Sequence, residues 1–197
     1  MSDELERHEL PQPVRLVAEA VDAVLAGEFG TAQAALGFID QDELQRLRAT
    51  RNGATRGLPS VSHATAHVAV PRQRRLEIHE RDGWRCRYSA CGFAPVLDED
   101  VLKLLGRAGL FTYYTADPRS WHQIAWTYQA VVDHVEPRTR VESLWTTACW
   151  TCNAAKGSVA LQDLGWHWDE DPPHRGWGGL RDKLVGLKIR LAAEGLL

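Results

Sequence analysis

The chain has 197 residues, of which 44% are hydrophobic and 25% charged, a composition typical of a globular protein with one or two domains. No run of about 18 apolar residues occurs, and the acidic N-terminus lacks the apolar core of a secretory signal, so we expect no membrane partner and a cytoplasmic location. The net charge of −3 argues against a protein that coats nucleic acid without specificity.

Residues 1–70 predict a helical N-terminal region. Apolar residues recur at helical spacing from Val14 to Leu25, and glycines follow at 27 and 30. Asp40 is a plausible N-cap for a later helix. Helices are predicted, in chain order, over 13–29, 31–38 and 40–50. The segment 51–62 is rich in Gly, Asn, Ser and Pro and predicts a connector.

The rest of the chain alternates helical and strand patterns, which predicts an α+β fold. The predicted elements are a helix over 72–81, a helix over 96–108, an irregular aromatic stretch over 110–123, a strand over 124–132, a strand over 143–148 and a helix over 153–164. A tail over 166–197 holds three tryptophans and an amphipathic helix near 179–193. We therefore expect three regions: 1–70, a central core over 71–165, and a helical extension packed on that core.

Charge is spread unevenly along the chain. Residues 1–70 carry six basic and ten acidic side chains, whereas 71–91 carry six arginines against three acids. A local basic stretch of this kind can bind phosphate although the whole chain is slightly negative.

The four cysteines form two close pairs, Cys86 with Cys91 and Cys149 with Cys152. In a reducing compartment, such pairs are more often metal ligands than disulfides. Two loops with two thiolates each can close a tetrahedral zinc site, which stabilises a fold and leaves no open position for chemistry. Buried cysteine without a metal is the alternative. The spacing predicts structural zinc.

Segments around these pairs resemble the HNH endonuclease family. The chain has a cysteine pair followed by Gly92, then the segment Asp133-His134-Val135-Glu136-Pro137, then Cys149-x-x-Cys152-Asn153-x-x-Lys156-Gly157. The resemblance covers about 71–165, half the chain, and it depends on the joint occurrence of the three motifs in this order. It implies a ββα-metal core stapled by the zinc site.

The resemblance also implies a chemistry. A histidine near its unperturbed pKa of about 6.5 is largely neutral at pH 7 and can accept a proton from water, so His134 is the expected general base. Asp133 and Asn153 offer the hard oxygen atoms that suit a catalytic Mg²⁺ or Mn²⁺. The expected substrate is DNA, with RNA not excluded, and the products would carry a 5′-phosphate and a 3′-hydroxyl.

Three basic residues near these positions are candidate phosphate contacts. Lys156 lies one turn after Asn153, which is expected at the N-terminal end of the last helix. Arg138 and Arg140 follow the expected base. Adjacent residues of a strand face opposite sides, so Asp133 and His134 can share a site only if the strand ends or bends there.

The second asparagine of the family motif is missing from this chain. Counting back from Asn153 places Leu144 at that position, with Ser143 beside it. Leucine cannot make the hydrogen bond that supports the base. Either Ser143 takes the role, another group orients His134, or catalysis is impaired.

Other residues allow weaker functional interpretations. His63 and His67 are spaced for a metal on a helix, but the segment alternates equally well as a strand. The eight tryptophans could stack on bases, although tryptophans more often fill a core, and Trp145 and Trp150 are expected to pack around the zinc.

Two functions from different classes follow from these patterns. The first is a metal-dependent endonuclease, and the second is a zinc module with a lapsed site that binds nucleic acid or protein. The role of 1–70 stays open between partner recognition, shielding of a basic cleft and self-association. The sequence does not fix the oligomeric state.

Overall fold

The N-terminal segment folds into three helices. In a computed structural model, the described residues are 10–53, 70–113, 122–137, 141–169 and 177–197. The helices are α1 (Gln12–Ala26), α2 (Phe29–Gly37) and α3 (Gln41–Gly53). Gly27 ends α1 in the left-handed conformation, with φ of 85°. The Asp40 side chain accepts a hydrogen bond from the backbone N–H of Glu43 at 2.9 Å, which confirms the predicted N-cap.

The middle of the chain begins with the helix that its sequence predicts. This helix, α4 (Arg72–Arg81), follows Pro71 and ends at Asp82. A short 3₁₀ turn over Ser89–Cys91 leads to α5 (Glu99–Arg107), whose N-cap Asp98 accepts a hydrogen bond from the backbone N–H of Asp100.

The predicted strand over 124–132 is wrong in its first half. The structure has a helix there, α6 (Gln123–Tyr128), followed by strand β1 (Ala130–His134). His122 caps the helix by accepting a hydrogen bond from the Ile124 N–H at 3.3 Å, and Ile124 is fully buried. Burial and capping therefore outweigh the strand preference of these β-branched and aromatic residues.

Strand β1 pairs antiparallel with β2 (Trp145–Cys149), so that Ala130 lies opposite Cys149 and His134 opposite Trp145. The second strand therefore matches its prediction within two residues. A 3₁₀ turn over Glu142–Leu144 precedes it. Together the strands form a two-stranded sheet.

The helix predicted over 153–164 is instead two shorter helices. Helix α7 (Trp150–Lys156) starts directly after Cys149, whose sulfur accepts a hydrogen bond from the Cys152 N–H at 3.4 Å. Gly157 ends α7 with a φ of 51°, and α8 (Leu161–Leu164) follows. A 3₁₀ turn over Arg181–Lys183 then leads into α9 (Leu184–Ala193), which lies within the predicted C-terminal helix.

Two hydrophobic clusters hold these elements together. The first, here called the helical core, joins α1, α2 and α3 to α5, α6 and α9, with Val14, Val17, Leu105, Ile124 and Leu187 fully buried. It thus draws on all three predicted regions, whose boundaries stay predictions. None of the described helices has the length and apolar character needed to cross a membrane.

The second cluster, here called the cysteine core, surrounds the sheet. Its buried members include Trp84, Tyr88 and Val96 together with three cysteines, and Trp166, Trp168 and Trp177 pack against it. Trp150 contacts Trp126 edge to face at 5.3 Å. These tryptophans therefore pack within the fold, as expected, whereas Phe38 is 74% exposed.

Candidate metal centre and active site

Four cysteines from distant parts of the chain meet beside the sheet. Cys86 lies after α4, Cys91 in the 3₁₀ turn, Cys149 at the end of β2 and Cys152 in the first turn of α7. Their sulfur atoms all lie within 4.8 Å of one another. The predicted gathering of the two pairs is confirmed. We call these four residues the metal centre, since they could hold an ion.

The donor set of the metal centre fits zinc. Tetrahedral zinc with Zn–S bonds near 2.3 Å requires sulfur atoms about 3.8 Å apart, which a small closure of the observed cluster provides. All four cysteines are free, and three of them are buried. Burial raises the pKa of Cys86 well above its usual range, so that thiol would need a cation beside it to stay ionised. The cluster could therefore bind a structural metal such as zinc.

Arg51 of α3 contacts the metal centre. No pattern in the sequence predicted this contact. Its Nη1 lies 3.7 Å from the sulfur of Cys149 and 4.0 Å from that of Cys152. Burial lowers the pKa of Arg51, but the thiolates of Cys149, Cys152 and Cys91 outweigh it and raise that pKa. The N-terminal region thus supplies a positive charge to the cysteines.

Asp133, an expected metal ligand, is buried and hydrogen-bonded on both oxygens. Its Oδ1 accepts the backbone N–H of His134 at 2.7 Å, and its Oδ2 accepts the hydroxyl of Tyr88 at 2.7 Å. The Nζ of Lys156 lies 3.3 Å from the same Oδ2. Since a carboxylate offers about four lone-pair sites, about one is left for a further ligand.

The sequence predicts that Lys156 contacts substrate phosphate, but in the structure its side chain points into the protein. Its side chain is fully buried, and Nζ donates to the backbone carbonyl of His134 at 2.7 Å. This bond and the ion pair with Asp133 join the end of α7 to the end of β1. The phosphate contact stays a prediction, but the observed partners of Lys156 give it a positioning role.

His134 is the last residue of β1 and is partly exposed. Its ring contacts Trp145 edge to face at 5.6 Å. Its neighbour Asp133 is buried, and adjacent residues of a strand point to opposite sides. Asp133 and His134 therefore do not share a face of the strand. They are connected by the His134 N–H bond to Asp133 and by Lys156, which contacts both residues.

Asn153 occupies the fourth position of α7, because the helix starts three residues earlier than expected. It is partly exposed and lies one turn before Lys156, on the same side of the helix. Its expected position at the first residue of the helix is therefore corrected to the fourth.

Ser143, the possible substitute for the missing asparagine, is exposed in the 3₁₀ turn. Its neighbour Leu144 contributes through its backbone, since its carbonyl accepts the N–H of Val135 at 2.8 Å. The segment after His134 is thus held by a main-chain bond and by Lys156. Arg138, Arg140, His63 and His67 lie outside the described residues.

Much of the charge in the basic stretch is neutralised within the fold. Arg72 pairs with Asp100, Arg74 with Glu77 and Glu142, and Arg81 and Arg87 with Asp82. These four arginines form ion pairs within the protein. This finding weakens the expectation that they form a phosphate-binding surface.

Asp82 is a second buried acid that sequence reasoning missed. It is fully buried and also accepts the backbone N–H of Thr147 at 2.6 Å. The carboxylate thereby joins the end of α4 to β2. In the sequence, Asp82 followed by Gly83 at the end of a helix indicates only a turn, not a buried carboxylate.

Comparison of the chain with known protein families, curated proteins and solved structures found no match.

Proposed function

We propose that this protein is a metal-dependent endonuclease of the HNH type, acting on DNA. The observation that carries the proposal is the ββα unit over 130–156. In it β1 ends at His134, Lys156 joins α7 to the end of that strand, and Cys149 and Cys152 meet Cys86 and Cys91 from outside the unit. RNA stays open as a substrate.

His134 is the proposed general base. The imidazole of His134, whose Nε2 is buried, would take a proton from a water molecule that attacks a phosphodiester, while the bond from Lys156 to its carbonyl and the bond from its own N–H to Asp133 fix its backbone. The leaving 3′ oxygen would take a proton from solvent water and be released as a hydroxyl, and the 5′ side would keep the phosphate.

Asn153 and Asp133 are the proposed ligands of a catalytic Mg²⁺ or Mn²⁺. Such an ion would supply positive charge to the phosphate oxygens. Asn153 offers a partly exposed carbonyl oxygen, and Asp133 offers its remaining lone pair. The cysteine zinc would be structural, because all four of its ligands come from protein.

Plasmid cleavage tests the nuclease proposal. The zinc-loaded chain is expected to nick or linearise supercoiled DNA with Mg²⁺ or Mn²⁺, and His134→Ala is expected to lower the rate roughly 100-fold or more, the loss typical of a general base. His167→Ala, which changes an exposed histidine, is the matched control and should cut like the unmodified chain. Cleavage that is undiminished in His134→Ala would refute the assignment.

A second candidate function is a zinc module that binds nucleic acid or a protein without cutting. Leu144 in place of the family asparagine favours this alternative, as do the three partners that already occupy most of the Asp133 carboxylate. Fluorescence anisotropy with labelled duplex DNA separates the two proposals. Tight binding with no cleavage across Mg²⁺, Mn²⁺ and Ca²⁺ would select the module over the enzyme.

A further inference from the structure

Helix α3 carries two arginines on the face that meets the rest of the protein. Arg48 and Arg51 are three residues apart and therefore lie on one side of the helix. The guanidinium of Arg48 lies 5.2 Å from the ring centroid of Trp126 and donates to the side chain of Gln123 at 2.6 Å. Arg48 thus fixes α3 against α6, one turn away from Arg51.

Arg51 continues this contact to the metal centre. Its partly buried guanidinium lies within 4.0 Å of two sulfurs, one at the end of β2 and one in α7. The distances suit N–H···S hydrogen bonds, which are stronger when the sulfur is a thiolate. Charge and hydrogen bonding therefore both favour Arg51 here when the cysteines are ionised.

A four-thiolate zinc ion carries a net charge of −2, and this charge would be buried in the cysteine core. Burial of uncompensated charge is costly unless an opposite charge lies close by. The cation that the structure places against these sulfurs comes from the N-terminal region, about 100 residues earlier in the chain.

We propose that Arg51 is a positioning residue of the metal centre, which strengthens zinc binding and couples it to the docking of α3. The proposal goes beyond the nuclease function and does not depend on it. It assigns a role to the N-terminal region: α3 closes over the zinc site. Because coupling between two events is reciprocal, zinc should favour the docked α3 by the same factor as docked Arg51 favours zinc.

Zinc competition tests the first half of the proposal. The full chain and its variants are loaded with zinc and titrated with a chromophoric chelator. Loss of a residue that supports metal ligands typically weakens binding by roughly 10-fold to 100-fold, so Arg51→Met should lose zinc at about that level. Arg51→Lys keeps the charge and should lose less, whereas Arg51→Glu should lose more.

The matched control is Arg46→Met, which removes an exposed cation from the same helix. It should bind zinc like the unmodified chain. If Arg51→Met, Arg51→Lys and Arg51→Glu all match this control, the charge role is refuted. An unmodified chain that binds no zinc would refute the proposal and the metal centre together, while leaving the DNA-cleavage assay to judge the nuclease.

Hydrogen exchange tests the coupling. In the unmodified chain, chelation of zinc should lower amide protection over 41–53 more than over 12–26, since α1 contributes eight buried residues to the helical core and α3 only Leu44. In Arg51→Met, protection over 41–53 should respond little to zinc. Equal protection of 41–53 with and without zinc in the unmodified chain would overturn the coupling.

Discussion

The buried pair of Lys156 and Asp133 is the residue-scale feature that links the proposed base to the fold. Removing one partner of a buried ion pair leaves an uncompensated charge, which costs about 3–5 kcal/mol. We expect Lys156→Met to lower the free energy of unfolding by about that amount in urea denaturation.

The exposed Lys188 of α9 provides the comparison for this change. Lys188→Met should shift the free energy of unfolding by less than about 0.5 kcal/mol, as surface changes usually do. The double change Asp133→Asn with Lys156→Met should recover part of the loss, because neither charge remains. Equal stability of the two lysine variants would show that the buried pair contributes nothing.

His79 is the residue-scale source of an expected pH dependence. It is buried in contact with Thr147, and burial lowers its pKa to about 4. In the unfolded chain, its pKa is about 6.5. Between these values the unfolded chain binds the extra proton, so the neutral His79 contributes stability that is complete above about pH 6.5 and is lost as the pH falls towards 4.

We therefore expect the unmodified chain to lose more stability than His79→Gln on acidification from about pH 6.5 to 4. One proton accounts for up to about 1.4 kcal/mol per pH unit. The measurement is the difference in free energy of unfolding between the two proteins at each pH. His167→Gln, at an exposed position, should follow the unmodified chain. Parallel curves for His79→Gln would contradict the assignment.

At the scale of elements, the metal centre joins the turn over 86–91 to the junction of β2 and α7. Removal of zinc should leave four close thiols without a cation and loosen this joint. We expect a strong chelator to make most of the four cysteines reactive to a thiol reagent, whereas the zinc-loaded chain reacts slowly. A calcium-selective chelator is the control. An unchanged number of reactive thiols after zinc removal would contradict this expectation.

The elements also show what sequence could and could not predict. The cysteine spacing predicted that two distant segments meet, because two pairs of thiolates can bind one zinc ion only if the segments that carry them lie side by side. Helix α4 was predicted at both ends from Pro71 and Asp82. Helix α6 was missed, because its β-branched and aromatic residues suit a strand and its stability comes from burial in the helical core.

For the candidate site, the sequence predicted which residues take part but not the contacts between them. The motif named Asp133, His134 and Asn153, but the inward turn of Lys156 depends on a carboxylate and a carbonyl that only the fold brings together. Tyr88 and Arg51 carried no motif at all. Their roles follow from contacts between segments that are 45 and about 100 residues apart, which local patterns do not encode.

At the scale of the whole molecule, α1 packs with α5, α6 and α9 in one core. Removal of 1–53 would expose the apolar side chains that α1 covers, so we expect the remaining chain to aggregate or to unfold without a cooperative transition. Circular dichroism during heating, with size-exclusion chromatography, measures this. A truncated chain that stays monomeric and melts cooperatively would show that 54–197 folds alone.

The helical core has a consequence for how the protein is made. Leu187 and Leu191 of α9 are fully buried among residues that the ribosome produced more than 150 positions earlier, at Val14 and Val17. Part of the apolar surface of the first three helices therefore stays uncovered until α9 has been synthesised. We expect nascent chains to depend on chaperones until α9 emerges.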